Sequence, residues 1–170
     1  MKNRELEPKT TKYFGIVVPT CYVSGNVNFE ATINGHSVII SISNYNRMEN
    51  KINICWEIID KYIEFAEIAK KAIIESLFRQ KGTACHYFKT IFQEYLNDEQ
   101  RIVWFSEVNF DELNIIKFIE ENNYPDLSFD IEDGILFISL EYMDTGFIPS
   151  LIVKMDKELN IIDFEIDYGS

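Results

Sequence analysis

Two stretches of this 170-residue chain alternate acidic and large apolar residues: Asp126-Leu127-Ser128-Phe129-Asp130-Ile131-Glu132 and Ile162-Asp163-Phe164-Glu165-Ile166-Asp167-Tyr168. A period of two sends successive side chains to opposite faces of a β-strand, so each stretch predicts a strand with one apolar face and one anionic face. The charge distribution points the same way. Asp98 to Ser170 holds 18 Asp and Glu against four Lys and Arg, while Met1 to Asn97 holds ten against 12, so the formal net charge of −12 arises entirely in the second segment. A fixed, folded anionic face suits a basic partner.

The chain is too apolar for disorder, at 46% hydrophobic and 14% aromatic, and its length fits one α+β domain over residues 12–170 behind a polar, flexible segment at 1–11. No apolar run reaches the length of a membrane span, and Met1-Lys2-Asn3-Arg4-Glu5-Leu6-Glu7-Pro8 lacks the apolar stretch of a signal peptide. Cytoplasmic residence is therefore expected. Cys21, Cys55 and Cys85 are odd in number and unpatterned, against both a disulfide framework and a zinc site. The acidity argues against binding nucleic acid or anionic membranes, which require an excess of Lys and Arg.

Tyr13 to Pro19 reads as a short strand. Val27 to Ile33 and His36 to Ser43 read as a hairpin turning at Asn34-Gly35, because a type I′ turn needs positive φ at both central residues. After a polar loop, Asn44 to Lys51, one long helix is expected from about Asn53 to Gln80. Its stripe is Cys55, Ile59, Tyr62, Ala66, Ala69, Ile73 and Leu77, with Glu57/Lys61 and Glu67/Lys71 as supporting pairs and Gly82 as the closing residue. A second helix is expected from Ala84 to Leu96. A third is capped by Asn109 with Glu112, and ends near Asn122-Asn123. Arg101 to Ser106 is apolar and unassigned.

Four strands close the chain as an antiparallel meander: Asp126 to Glu132, Ile135 to Tyr142, Ser150 to Asp156 and Ile161 to Tyr168, with a loop from Met143 to Pro149. A two-residue loop at Asp133-Gly134 would oppose Ile131/Leu136, Phe129/Ile138 and Leu127/Leu140 on one face. It would oppose Glu132/Ile135, Asp130/Phe137 and Asp126/Glu141 on the other. Strands, then helices, then strands predict an α+β fold with the helices packed on the sheet.

No segment carries a complete catalytic signature. Asp144-Thr145-Gly146 matches the aspartic protease tripeptide, but it occurs once and Phe147 follows where a small residue is usual, so it reads as a turn. Pro125-Asp126 with Asp130-Ile131-Glu132 resembles the start of a metal-dependent nuclease motif, yet the Lys that should follow the acid is missing. In the loop from Asp126, Gly134 stands ninth rather than sixth, unlike an EF-hand. His36 and His86 lie far apart in sequence, and Cys85 and His86, as helix neighbours, do not face each other. Trp56, Trp104 and Phe105 read as core. No cofactor and no metal ligand set is indicated.

The layout from about Tyr13 to Gly169 resembles a loose group of small bacterial proteins that includes the immunity proteins of polymorphic and contact-dependent toxin systems. The resemblance is carried by Phe29-Glu30-Ala31-Thr32-Ile33-Asn34-Gly35-His36-Ser37-Val38-Ile39-Ile40, the Trp56-containing helix and Phe164-Glu165-Ile166-Asp167-Tyr168-Gly169. It implies an acidic, non-enzymatic protein that binds and blocks a cognate toxin, often a basic nuclease. The contacts expected for such a partner are Asp126, Asp130, Glu132, Glu141, Asp163, Glu165 and Asp167, with Phe137 and Phe147 as apolar anchors and Ile135 beside them. The rival expectations are a metal-dependent enzyme using the same carboxylates and an acidic DNA mimic. The oligomeric state is open.

Overall fold

The computed structural model describes residues 7–23, 26–43, 52–79, 82–91, 112–121, 124–140 and 149–168. Its centre is a seven-stranded sheet in the spatial order β3 (Pro19–Val23), β4 (Asn26–Ile33), β5 (His36–Ser43), β6 (Asp126–Asp130), β7 (Ile135–Leu140), β8 (Ser150–Asp156) and β9 (Ile161–Asp167). Neighbours are antiparallel except β5 and β6, which run parallel with Ile40 beside Leu127 and Ile42 beside Phe129. The expected N-terminal hairpin and C-terminal meander thus fuse into one sheet. A parallel pair needs a long crossover, and the helical block between Ser43 and Asp126 supplies it.

The Asn34-Gly35 turn forms as expected, with φ of 50° and 82°, and Ile33 opposes His36. The Asp133-Gly134 turn does not. β6 stops at Asp130, which opposes Ile135 across a four-residue loop, and only Gly134 in that loop has positive φ, at 71°. The cause is the Asp130 carboxylate: its Oδ1 accepts the N–H groups of Glu132 (2.8 Å) and Asp133 (3.3 Å), while the Gly134 N–H reaches the Asp130 carbonyl at 2.9 Å. The expected pairs therefore shift by two. Phe129 opposes Leu136, Leu127 opposes Ile138, Asp126 opposes Ser139, and Phe137 opposes Ser128 rather than Asp130. A shift of two leaves each side chain on its expected face.

The Tyr13 to Pro19 strand is corrected to two elements. Lys9–Thr11, placed in the expected flexible segment, is β1 and pairs with β2 (Gly15–Val17), and Pro19 begins β3. Gly15, at φ 67°, makes the turn and its carbonyl accepts the Thr11 hydroxyl at 3.0 Å. This hairpin docks on the helices through Phe14 edge-on to Tyr62 and through the Lys12 N–H to Asp60 Oδ1 at 2.8 Å, and its Val17 is buried in the core.

The expected long helix is two, α1 (Ile52–Asp60) and α2 (Tyr62–Leu77), broken at Lys61, whose φ and ψ are −100° and 5°. Every residue of the expected apolar stripe is nonetheless buried, and Trp56 packs edge-on against Phe29 at 5.7 Å. Glu67 pairs with Lys70 at 2.6 Å, one position before the expected Lys71, which pairs with Glu75. Gly82 is extended (φ −81°) and precedes α3 (Thr83–His86) instead of closing α2 in a left-handed turn. A π-helical segment, Tyr87–Ile91, continues α3. α4 spans Glu112–Glu121. Among the described residues, no helix is long and apolar enough to cross a membrane. The rest of the second helix, the Asn109 cap, Arg101 to Ser106 and Asp144-Thr145-Gly146 lie outside the described residues.

Helices and sheet share one core. Val27, Phe29, Val38, Ile40, Ile42, Leu127, Phe129, Leu136, Ile138, Leu151, Val153 and Met155 point to the helical side and are buried with the stripe of α1 and α2. Two buried tyrosines tie the sheet to the helices. The Tyr62 hydroxyl donates to the Pro125 carbonyl at 2.5 Å, just before β6, and the Tyr87 hydroxyl donates to the Pro149 carbonyl at 2.6 Å, just before β8. Burial pushes both hydroxyls well above the usual tyrosine range. Tyr62→Phe should destabilise the fold by about 1–3 kcal/mol, because the buried Pro125 carbonyl loses its partner. Urea unfolding measures this, and a loss below a few tenths would show that the bond carries no net weight.

Candidate functional site

Among the described residues, the helical packing falls on one side of the sheet. The opposite side of β6 to β9 carries the predicted anionic face, and the register aligns it in rows. One row runs Ser128, Phe137, Lys154, Asp163, and the next runs Asp126, Ser139, Ile152, Glu165. Asp130, Ile135 and Asp156 form a third row, and Ser150 faces Asp167. Half-buried Ile135, Phe137 and Ile152 thus make an apolar strip down β7 and β8, with carboxylates on β6 at one side and on β9 at the other. On β5, Ile39 extends the apolar surface and is 43% exposed.

Of the expected contacts, the structure brings Asp126, Asp130, Phe137, Asp163, Glu165 and Asp167 onto this single face. Glu132 is not on it. It sits exposed in the β6–β7 loop, because Asp130 ends the strand two residues earlier than expected. Glu141 and Phe147 lie outside the described residues. Ile39, Ile152, Lys154 and Asp156 belong to the face and were not singled out from sequence. The alternation Leu151, Val153, Met155 against Ile152, Lys154 carried that signal, but only the pairing of β8 between β7 and β9 puts Ile152 and Lys154 among the acids.

The carboxylates differ in what holds them. Asp126 is partly buried and its Oδ1 accepts the Ile39 N–H at 2.7 Å. Burial pushes its carboxyl above the ordinary 3.8, with the Ile39 N–H opposing that shift. Asp156 caps the β8–β9 loop. Its Oδ1 accepts from the N–H groups of Glu158 (3.0 Å) and Asn160 (2.9 Å), its Oδ2 accepts from Asn160 Nδ2, and these bonds hold its pKa down. Asp163 Oδ1 accepts the Phe164 N–H at 2.8 Å. Lys154 is the one Lys or Arg on this face among the described residues. Its ammonium pairs with Glu165 and lies 5.6 Å from the Phe137 ring centre. The face therefore keeps a clear negative excess around an apolar centre.

The Asp126 shift has a testable sign. A carboxyl raised in the folded state contributes stability that is full below its unfolded pKa and is lost as pH rises through the folded value. Asp126→Asn keeps an acceptor for Ile39 and carries no charge to desolvate. The variant should match the parent near about pH 3 and exceed it in stability near about pH 7. An equal difference at both pH values, measured by urea unfolding, would contradict this reading.

Other candidate chemistry is less developed. An open groove of about 590 Å³ between α2 and α4 is lined by Glu67, Lys70, Lys71, Ile74, Glu75 and Glu120. Its charges are of both signs and pair along its own walls, as Lys70 does with Glu67. Burial pushes the Cys55 thiol up to about 12, so it stays protonated within the core. His36 stacks on Tyr124 with ring centres 5.0 Å apart. Among the described residues, no group of three His, Cys, Asp or Glu side chains is placed to hold a metal ion.

No family model, no curated protein and no solved structure matches this chain.

Proposed function

We propose that this chain is an immunity protein that binds a cationic toxin domain, most simply a basic nuclease, and occludes it with the outer face of β6 to β9. The observation that carries the reading is the apolar strip of Ile135, Phe137 and Ile152 set between the carboxylates of β6 and those of β9. An apolar anchor inside a polar, charged rim is the anatomy of a protein-binding hot spot. The carboxylates steer a basic partner and can raise its association rate to about 10⁸ M⁻¹s⁻¹ at low salt, while the desolvated apolar centre slows dissociation. A nuclease suits the face because its substrate groove must be cationic to hold phosphates. Binding there excludes the substrate without any chemistry on the part of this chain.

Co-expression tests the proposal. The gene beside this one should encode a secreted toxin whose C-terminal domain kills cells lacking this chain and spares cells that make it. The association rate of the purified pair should fall steeply as salt rises, with little change in the dissociation rate. Rescue that survives loss of the whole face, or a neighbouring product harmless to cells, would sink it.

A further inference from the structure

We infer that the outer face seats one arginine of the partner on the Phe137 ring with Glu165 as its counter-ion, and that Lys154 of this chain holds that seat until the partner displaces it; the inference rests on the cationic-partner reading above. Three neighbouring strands build the seat. Phe137 on β7 stands opposite Lys154 on β8, and Glu165 on β9 stands opposite Ile152, one step along the same face. Lys154 opposes Asp163, yet its ammonium pairs with Glu165 and lies 5.6 Å from the centre of the Phe137 ring. An aromatic ring and a carboxylate that converge on one ammonium form a cation site, and here the chain's own side chain fills it.

A guanidinium fits these walls better than the ammonium does. It is planar, so it can stack on the ring and still turn an edge with two N–H donors to the carboxylate. It is also more weakly hydrated, which lowers the cost of covering it with a partner. The surroundings suit such covering. Ile135 and Ile152 are half-buried and lie on the same face beside Phe137 and Lys154. Apolar neighbours of this kind exclude water from a contact once the partner closes over it.

Lys154 sets the threshold for entry. The side chains of Lys154 and Glu165 are 27% and 53% exposed, so their ion pair is a surface one that exchanges at little cost. When the ammonium leaves the ring, Asp163 can receive it directly across the β8–β9 pairing, because one Asp163 oxygen serves the Phe164 N–H and the other is a second acceptor. The flexible four-carbon stem allows that swing. A lysine of the partner would only repeat a contact that Lys154 already makes within the chain, where it has the advantage of being intramolecular. An arginine adds stacking and a second hydrogen bond, so Lys154 sorts partners by the type of cation as well as by charge.

NMR titration of the full ¹³C,¹⁵N-labelled chain at low salt tests this with two synthetic pentapeptides. One carries arginine at its second and fourth positions, the other lysine, and the remaining positions are glycine. The arginine peptide should bind about fivefold or more tightly than the lysine peptide. As it saturates, the Lys154 ε-methylene signal should move from its place beside the Phe137 ring to the position it takes in the Phe137→Leu variant. Phe137→Leu should also abolish the preference for arginine. Lys154→Met keeps the stem but clears the seat, and should tighten the arginine peptide by about fivefold. Equal affinities for the two peptides, a Lys154 signal that stays put beneath a bound arginine peptide, or no gain from Lys154→Met overturns the seat and leaves the cationic-partner reading standing. Failure of both peptides to bind overturns both.

Discussion

Reversing Asp163, Glu165 and Asp167 together to lysine should weaken binding of the cationic partner by about 10³-fold and abolish protection of cells by this chain. Each reversal turns an attraction into a repulsion, and about 1.4 kcal/mol at each of the three sites gives that factor. The structure makes the set coherent, because all three carboxylates lie on the outer side of one strand, β9, within reach of a single partner element. The association rate should carry much of the loss, and the loss should shrink as salt rises. Lys154→Gln should act in the opposite sense. It removes the cation that pairs with Glu165 and lies over Phe137, so the partner should bind more tightly. Surface plasmon resonance across a salt series reads both variants, and melting curves check that they fold. A triple reversal that binds as the parent does would refute the electrostatic basis of the proposed function.

Phe129→Ala should destabilise the protein by about 3–5 kcal/mol, roughly a fifth or more of the stability of an ordinary domain. Phe129 is 2% exposed, stands beside Ile42 across the parallel pair and opposes Leu136 across the antiparallel one. Its ring therefore packs at the seam where the N-terminal hairpin meets the C-terminal meander, and truncation leaves a cavity that neither half can fill alone. Phe137→Ala is the matched control. It removes the same ring from the outer face, so it should cost under about 1.5 kcal/mol of stability while weakening partner binding by more than tenfold. Chemical denaturation separates the two. Similar losses of stability in both variants would mean that the outer face is packed like a core and is not a docking surface.

Much of the local structure was legible because it depends on near neighbours. Asn34-Gly35 specifies its turn through backbone geometry, and the stripe from Cys55 to Leu77 is buried along its whole length even though the backbone breaks at Lys61. Two failures share one cause. Asp133-Gly134 looks like a two-residue turn and Glu132 looks like a strand residue, but the Asp130 side chain competes for the backbone of the loop and ends β6 early. Side chain to backbone bonds of this kind leave little trace in a hydrophobic pattern. Lys9–Thr11 was missed because a three-residue strand has no period to read, and its hairpin is held by docking on α1 and α2.

The sequence by itself determined the faces. Alternation with a period of two assigned Asp126, Asp130, Phe137, Asp163, Glu165 and Asp167 to one side of the sheet, and an error of two in the register did not disturb that assignment. Only the tertiary structure decided which strands are neighbours. The parallel pairing of β5 with β6 makes one sheet of two distant segments, places Ile39 next to the acids and sends every described helix to the other side. The position of β8 puts Ile152 and Lys154 among the carboxylates, between β7 and β9. These are contacts between residues far apart along the chain, fixed by how the apolar surfaces of hairpin, helices and meander bury one another. No local pattern of residues encodes that arrangement.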